Sequence, residues 1–210
     1  KAMPPQLARQ VISDYYGPSG IGYSLVRTHL DSCDFASGSY CAIEEKDETF
    51  STFSLRHDEE NIIPYIKMAE SAFGAPLPVM LSPWSPPAFM KTNGSRNGGG
   101  KLLSKYAPLW AKYICKYVQE YQKKGMKVTR LSVQNEPNAV QLWDSCLYTA
   151  EEEKTFLQNH LYPALVEHGL SEVQLFIWDH NKERLFERAE TCITPDTDNM
   201  ISGMAFHWYS

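Results

Sequence analysis

Residues 128–143 read VTRLSVQNEPNAVQLW. The first half is short, apolar and partly β-branched, which suits an extended strand. Gln134, Asn135, Glu136 and Pro137 then switch the polarity within two residues. Asn and Pro both favour turns, so one reading of this tip is a plain turn. The other is that the strand presents an amide and a carboxylate as working groups. The neighbouring segments bear on the choice.

Working outward, helix and strand alternate. Upstream, Tyr106, Leu109, Trp110, Tyr113, Ile114, Tyr117, Val118 and Tyr121 mark one face of a long amphipathic helix stopped at Gly125, and a strand is predicted over Met126–Gln134. Downstream, Thr149 and Glu152 form a capping box for a helix that reaches His168 and stops at Gly169, with a kink or break predicted at Pro163. A strand over Val173–Trp178, a short helix over Lys182–Ala189 and a last strand over Ile201–Tyr209 follow. Toward the N-terminus lie a strand at Leu77–Leu81 closed by SPWSPPAF, a helix over Asn61–Phe73, a strand over Ile21–Leu30 and a helix over Pro5–Tyr16 stopped by Gly17.

Strands separated by helices call for a parallel sheet, either an open doubly wound one or a barrel. The open sheet usually carries a glycine-rich phosphate turn directly after a strand. No such turn exists here. The nearest cluster, NGSRNGGGKL, has one residue too many between Gly94 and Gly100-Lys101 and places Leu102 where a P-loop needs Ser or Thr, so it reads as a flexible surface loop. Polar and aromatic groups recur instead at the strand C-terminal ends: Asp31 and Asp34, then Trp84, Asn135 with Glu136, Asp179 with His180, and His207 to Tyr209. Barrel sites are built on that face, from several strands. The expected class is α/β, a TIM (β/α)8 barrel that is incomplete in this chain.

The 210 residues are 43% hydrophobic and 21% charged, ordinary for one domain with a sizeable core. The formal charge is −5 without a basic run, which argues against nucleic acid as a partner. No apolar run approaches the roughly 18 residues of a membrane span. Lys1 to Pro5 is no signal peptide, although a processed or truncated chain would look the same. The five cysteines lack C-x-x-C pairing, Cys115 sits in a helical apolar pattern, and a Cys33–Cys41 disulfide is conceivable.

If Glu136 is a working group, the chemistry that fits is glycoside hydrolysis. One carboxylic acid protonates the leaving oxygen, and a second carboxylate lies across the sugar. An amide near the 2-hydroxyl strengthens its bond as the oxocarbenium ion develops.

The blocks GIGYSLVRTHLDSCDF, LSPWSPPAFMKTNG, VQNEPNAVQLWDSCLYTAEEE, LFIWDHN and GMAFHWY occur in that order across nearly the whole chain. In them the sequence resembles glycoside hydrolase family 30, and most of all its bacterial glucosylceramidase and endo-β-1,6-glucanase branch. The resemblance implies a retaining double displacement with Glu136 as general acid/base, Asn135 on the sugar 2-hydroxyl, and a nucleophilic glutamate on a strand beyond Ser210. It maps the visible strands to the second through sixth of the barrel. The first, seventh and eighth strands and any C-terminal β-sandwich domain then lie outside residues 1–210, and the piece alone is expected to be inactive. Glu136 would have to be protonated near neutral pH, and burial beside a negative charge would raise its pKa.

Other candidates have two readings each. Arg27, inside a strand, is either a structural ion pair or, as the resemblance implies, an arginine beside the nucleophile. Asp34 and Phe35 match the family's CDF, where the aspartate bonds sugar hydroxyls; a loop-capping Asp is the alternative. Trp84 is either a packed hydrophobe or, as favoured here, an exposed aromatic face for the sugar at the rim. His207 and Tyr209 would share a strand face, and the resemblance places both in the pocket near the carboxylates. Asp179 is expected to orient a loop rather than perform chemistry. Trp110 reads as core, while Trp143, in the loop after Glu136, is a candidate for contact with an outer sugar. The family chemistry needs no metal and no cofactor. The expected substrate is a β-linked glucoside or glucan, with glucosylceramide and β-1,6-glucan not separable. A non-catalytic carbohydrate-binding protein on a degenerate barrel is the rival. Oligomeric state and compartment stay open, secretion or a bacterial cell envelope being compatible.

Overall fold

In the computed structural model, which describes residues 3–209, five strands form one parallel sheet. The chain runs α1 (Pro5–Tyr16), β1 (Val26–Leu30), α2 (Arg56–Asn61), α3 (Ile63–Phe73), β2 (Pro78–Pro83), α4 (Ala107–Lys123), β3 (Lys127–Ser132), α5 (Ala150–Phe156), α6 (Tyr162–Glu167), β4 (Gln174–His180), α7 (Leu185–Cys192) and β5 (Gly203–Phe206). The strands neighbour one another in chain order, β1-β2-β3-β4-β5. A doubly wound sheet reverses its order at a switch point, and this one does not. It is an arc of a (β/α) barrel.

The strand alternation sorts side chains into two environments. Val79 and Leu81 of β2, Val128 and Leu131 of β3, and Leu175 and Ile177 of β4 are buried in the apolar layer between sheet and helices. There they meet Trp110, Tyr113, Ile114, Tyr117, Val118 and Tyr121 along α4. The intervening residues Met80, Arg130, Phe176 and Met204 line a cavity on the other face, together with Arg27, Asp179 and His207. Gly203 of β5 leaves that face room, since a Cβ there would come within 2.9 Å of the Phe176 ring.

Several boundaries differ from expectation, each for a local reason. The first strand is only Val26–Leu30, because Gly22 has φ +75° and Ile21 and Tyr23 project into solvent. The helix expected over 61–73 begins at Arg56 and breaks at Ile62, ahead of Pro64. The capping box forms with both reciprocal bonds, Glu152 N–H to the Thr149 hydroxyl and Thr149 N–H to the Glu152 carboxylate. The expected break at Pro163 appears as a π-helical turn over Leu157–Leu161 that ends where α6 begins. Strand β4 runs on to His180, so Asp179 lies in the strand, and β5 stops at Phe206, before His207. No helix among the described residues is long and apolar enough to cross a membrane.

Candidate active site

The backbone is bent at the strand ends. Asp31, Glu136, Trp178 and Asp179 have φ of 60°, 48°, 74° and 42°, a left-handed conformation that costs a non-glycine residue about 1–3 kcal/mol. Cross-strand bonds hold it. Asn135 N–H donates to the Pro83 carbonyl at 2.8 Å, Glu136 N–H to the Asp179 carbonyl at 3.0 Å, and His207 N–H to the His180 carbonyl at 2.6 Å. Between Trp178 and His180 the pairing with β5 slips, a bulge that re-aims Asp179.

These bends bring seven side chains together: Arg27 of β1, Ser82 of β2, Asn135, Glu136 and Gln141 after β3, Asp179 of β4 and His207 after β5. Arg27 Nη2 donates both its hydrogens, one to Asn135 Oδ1 and one to Asp179 Oδ2, each at 2.8 Å. Ser82 Oγ donates to the same Asp179 oxygen at 2.8 Å. His207 bridges two carboxylates, with Nε2 3.3 Å from Asp179 Oδ1 and Nδ1 3.1 Å from Glu136 Oε1. Gln141 Nε2 donates to the other Glu136 oxygen at 3.3 Å.

With a carboxylate on each ring nitrogen, a neutral imidazole would aim a lone pair at an anion, so His207 is the doubly protonated cation. Burial lowers its pKa, but the bonds to Asp179 and Glu136 outweigh that and push it up to about 9. Burial would raise Asp179, yet the His207 bond and the Arg27 charge hold it well below the usual carboxylate range. Glu136 is lowered, first by the His207 bond, against a smaller opposing effect of burial. The expected raised pKa is therefore not found in this arrangement. The charge beside Glu136 is a cation, and the expected opposing carboxylate is not among these side chains.

Arg27, Asn135, Glu136 and His207 thus lie in one cluster. Asp179 does more than steer a loop, since it orients both Arg27 and His207. Trp84 requires correction. It is 7% exposed, with the Arg27 guanidinium 5.1 Å above its ring and His29 edge-on at 6.3 Å. Pairing with β1 continues to Pro83, which draws Trp84 under Arg27 instead of leaving it at the rim. Asp34 and Phe35 lie exposed on the loop after β1, Phe35 at 90%, and no hydrogen bond joins them to the Glu136 cluster. Tyr209 follows the end of β5 and offers a ring to His207 at 6.3 Å rather than a hydroxyl to a carboxylate. Trp110 is fully buried and Trp143 is partly exposed. All five cysteines are free, so Cys33 and Cys41 are not bridged. Among the described residues no group of three His, Cys, Asp or Glu is placed to hold a metal ion.

Two clusters had no distinct sequence signal. The loop read as flexible is pinned by Arg96, whose Nε reaches Asp144 at 2.7 Å and whose Nη1 reaches the Ser85 carbonyl at 2.9 Å and Asp31 at 3.4 Å. Behind β4, Glu153 and Arg188 form a buried pair at 3.0 Å. Ser82 and Gln141 were also missed. A second polar residue at a strand end already marked by Trp84 was the only available hint to Ser82.

These features place the chain in the class of parallel (β/α)-barrel domains whose sites sit at the strand C-terminal ends. The family model described as the glycosyl hydrolase family 30 TIM-barrel domain matches residues 1–210, and the chain belongs to that family of glycosidases. It is 31% identical to the lysosomal acid glucosylceramidase of Mus musculus over 99% of this chain and 42% of that protein. It is 25% identical to an endo-1,6-beta-D-glucanase of Neurospora crassa over 100% of this chain and 44% of that one. The fold superposes on the crystal structure of SrfJ from Salmonella typhimurium with a TM-score of 0.92, at 41% identity over 98% of this chain and 46% of that chain. The chain thus spans less than half the length of these relatives.

Proposed function

We propose that the protein containing this chain is a retaining β-glycosidase acting on β-glucosides in the manner of a glucosylceramidase, with Glu136 as general acid/base. The observation that carries this is the pairing of Glu136, half-buried at the tip of β3, with Asn135. Arg27 can only donate, so the Asn135 atom it bonds is the carbonyl oxygen, and the amide N–H2 is left to donate to a sugar hydroxyl. The nucleophile is a glutamate from a strand beyond residue 210, facing Glu136 at roughly 5–5.5 Å.

In the first step Glu136 gives its proton to the glycosidic oxygen while the nucleophile attacks the anomeric carbon and the C–O bond breaks. The negative nucleophile opposes the pull of His207 and favours the protonated form needed there. Once glycosylated, that carboxylate is neutral and the His207 cation dominates. Glu136 is then held ionised, as in the present geometry, and takes a proton from the water that displaces the enzyme. An endo-β-1,6-glucanase of the same mechanism is the second reading, supported by the similarity to the Neurospora crassa enzyme.

In the full-length protein, Glu136→Ala should cut kcat/KM on an alkyl β-glucoside by about 10²–10⁴-fold. Glycosylation by a 2,4-dinitrophenyl β-glucoside, whose leaving group needs no proton, should be nearly spared, and azide should restore turnover as the β-glucosyl azide. Equal losses on both substrates without azide rescue would overturn the assignment. Parallel assays on glucosylceramide and β-1,6-glucan separate the two substrates.

A further inference from the structure

We propose that Glu153 and Arg188 are positioning residues that fix the two backbone segments between which Glu136 is aimed, a role that rests on Glu136 being the acid/base. Both lie behind the sheet at 0% and 4% exposure, with Arg188 in the wall of a cavity that Asn138 and Trp178 also line. Between them the two charges contact both segments of the site.

Glu153 Oε1 accepts the Trp178 N–H at 3.0 Å, while Oε2 pairs with Arg188. That N–H lies at the bulge where β4 slips against β5, and Trp178 and Asp179 there both have positive φ. The ladder is locally disrupted at such a point, and the carboxylate gives the amide an acceptor. The bulge is what delivers Asp179 to Arg27 and His207, and its carbonyl takes the Glu136 N–H.

Arg188 acts on the other side. Its Nη2 donates to Asn138 Oδ1 at 2.6 Å, two residues beyond Glu136. Both Nη atoms also reach the Tyr148 carbonyl, at 3.3 and 3.2 Å, and the Tyr148 N–H in turn holds the Pro137 carbonyl at 2.9 Å. The guanidinium covers the Trp178 ring at 4.8 Å, so one side chain touches both segments. A buried ion pair is weak evidence for stability, since packed apolar residues often replace one without loss. Apolar residues could not hold the Trp178 amide and the Asn138 side chain together, and here that geometry is what the pair provides.

A displaced acid/base fails at proton delivery, whereas a merely loosened fold fails on every substrate. The test is made in the full-length enzyme on an alkyl and a 2,4-dinitrophenyl β-glucoside. Arg188→Met should lower kcat/KM on the alkyl glucoside by about 10–100-fold and leave the dinitrophenyl glucoside within about 3-fold, with azide accelerating turnover. Asn138→Ala, at an exposed position that threatens no folding, should do the same to a lesser degree. Glu153→Gln, which keeps an acceptor for Trp178, should fall between wild type and Arg188→Met. Equal losses on the two substrates, or none, in both Asn138→Ala and Arg188→Met would overturn the proposal. Glu136→Ala is run alongside. If it too lacks leaving-group dependence, the acid/base assignment has failed; if it has it and the others do not, only the positioning role has.

Discussion

Two arginines of this barrel arc, Arg96 in the loop after β2 and Arg27 within β1, make contrasting clusters. Arg96 ties Asp31 and Asp144 together behind the rim, and all three are almost wholly buried. Their carboxylates are filled from within: Asp31 takes the Ala42 N–H and the Tyr113 hydroxyl, and Asp144 takes the Ser39 hydroxyl. Arg27 ties Asn135 and Asp179 together in the same way, but its side chain is 35% exposed, Glu136 is partly exposed, and His207 lines the cavity. The ingredients are the same and the outcome differs. A closed, buried cluster holds loops; one that keeps a titratable carboxylate partly exposed can do chemistry.

The contrast breaks most visibly if the closed cluster is opened. Arg96→Met leaves two carboxylates buried without their cation and should cost about 3–5 kcal/mol of unfolding free energy by urea titration. Burial pushes Asp31 up to about 6 even against the Arg96 charge. Its folded pKa exceeds its unfolded value, so protonation favours the folded state. Without Arg96 the Asp31 pKa rises further, so the loss in Arg96→Met should shrink as the pH falls toward that value. A pH-independent loss would mean that Arg96 contributes packing rather than charge.

In the open cluster the informative change is His207→Gln. His207 is raised to about 9, so the stability it contributes is fully present below its unfolded pKa, near 6.5. It is lost as the pH rises through about 9. Wild type should lose about 1–3 kcal/mol across that window, and His207→Gln should lose less of it. The same variant removes the main influence lowering Glu136, so the ionisation assigned to Glu136 in the pH–rate profile should move up. An unmoved profile would dissociate His207 from the acid/base.

The same contrast explains what the sequence made legible. Alternation of apolar strands with a tyrosine-striped helix specified the barrel layers, because burial follows period. Asn135 and Glu136 stood out as polar residues at the tip of an apolar strand, where a plain turn was the other reading, and their assigned roles came from the family resemblance. Arg96 was not, because NGSRNGGGKL has the composition of a flexible loop, and its order comes from Asp31 and Asp144, 65 and 48 residues away. Glu153 was hidden in a run of three glutamates that reads as a solvated helix start, yet it alone of the three is fully buried. Trp84 misled for the opposite reason. A tryptophan between prolines resembles a rim platform, and only the three-dimensional position of Arg27 shows its face to be taken.

The mildest test uses a local interaction as the calibrant for both clusters. Thr149 caps α5 through an exposed pair of bonds with Glu152, and nothing distant depends on the Thr149 hydroxyl. Thr149→Ala should cost about 1 kcal/mol in urea, with no change in the pH dependence of stability above pH 6. Glu153 lies one residue beyond Glu152 on the same short helix, so the variant also asks whether fraying at that end reaches the buried pair with Arg188. Against that, the Glu153 carboxylate is held by Trp178, by Arg188 and by its own burial. If Thr149→Ala nevertheless produces the leaving-group-dependent loss expected of Arg188→Met, the open cluster extends outward to the helix cap, and the positioning of Glu136 depends on α5 as a whole.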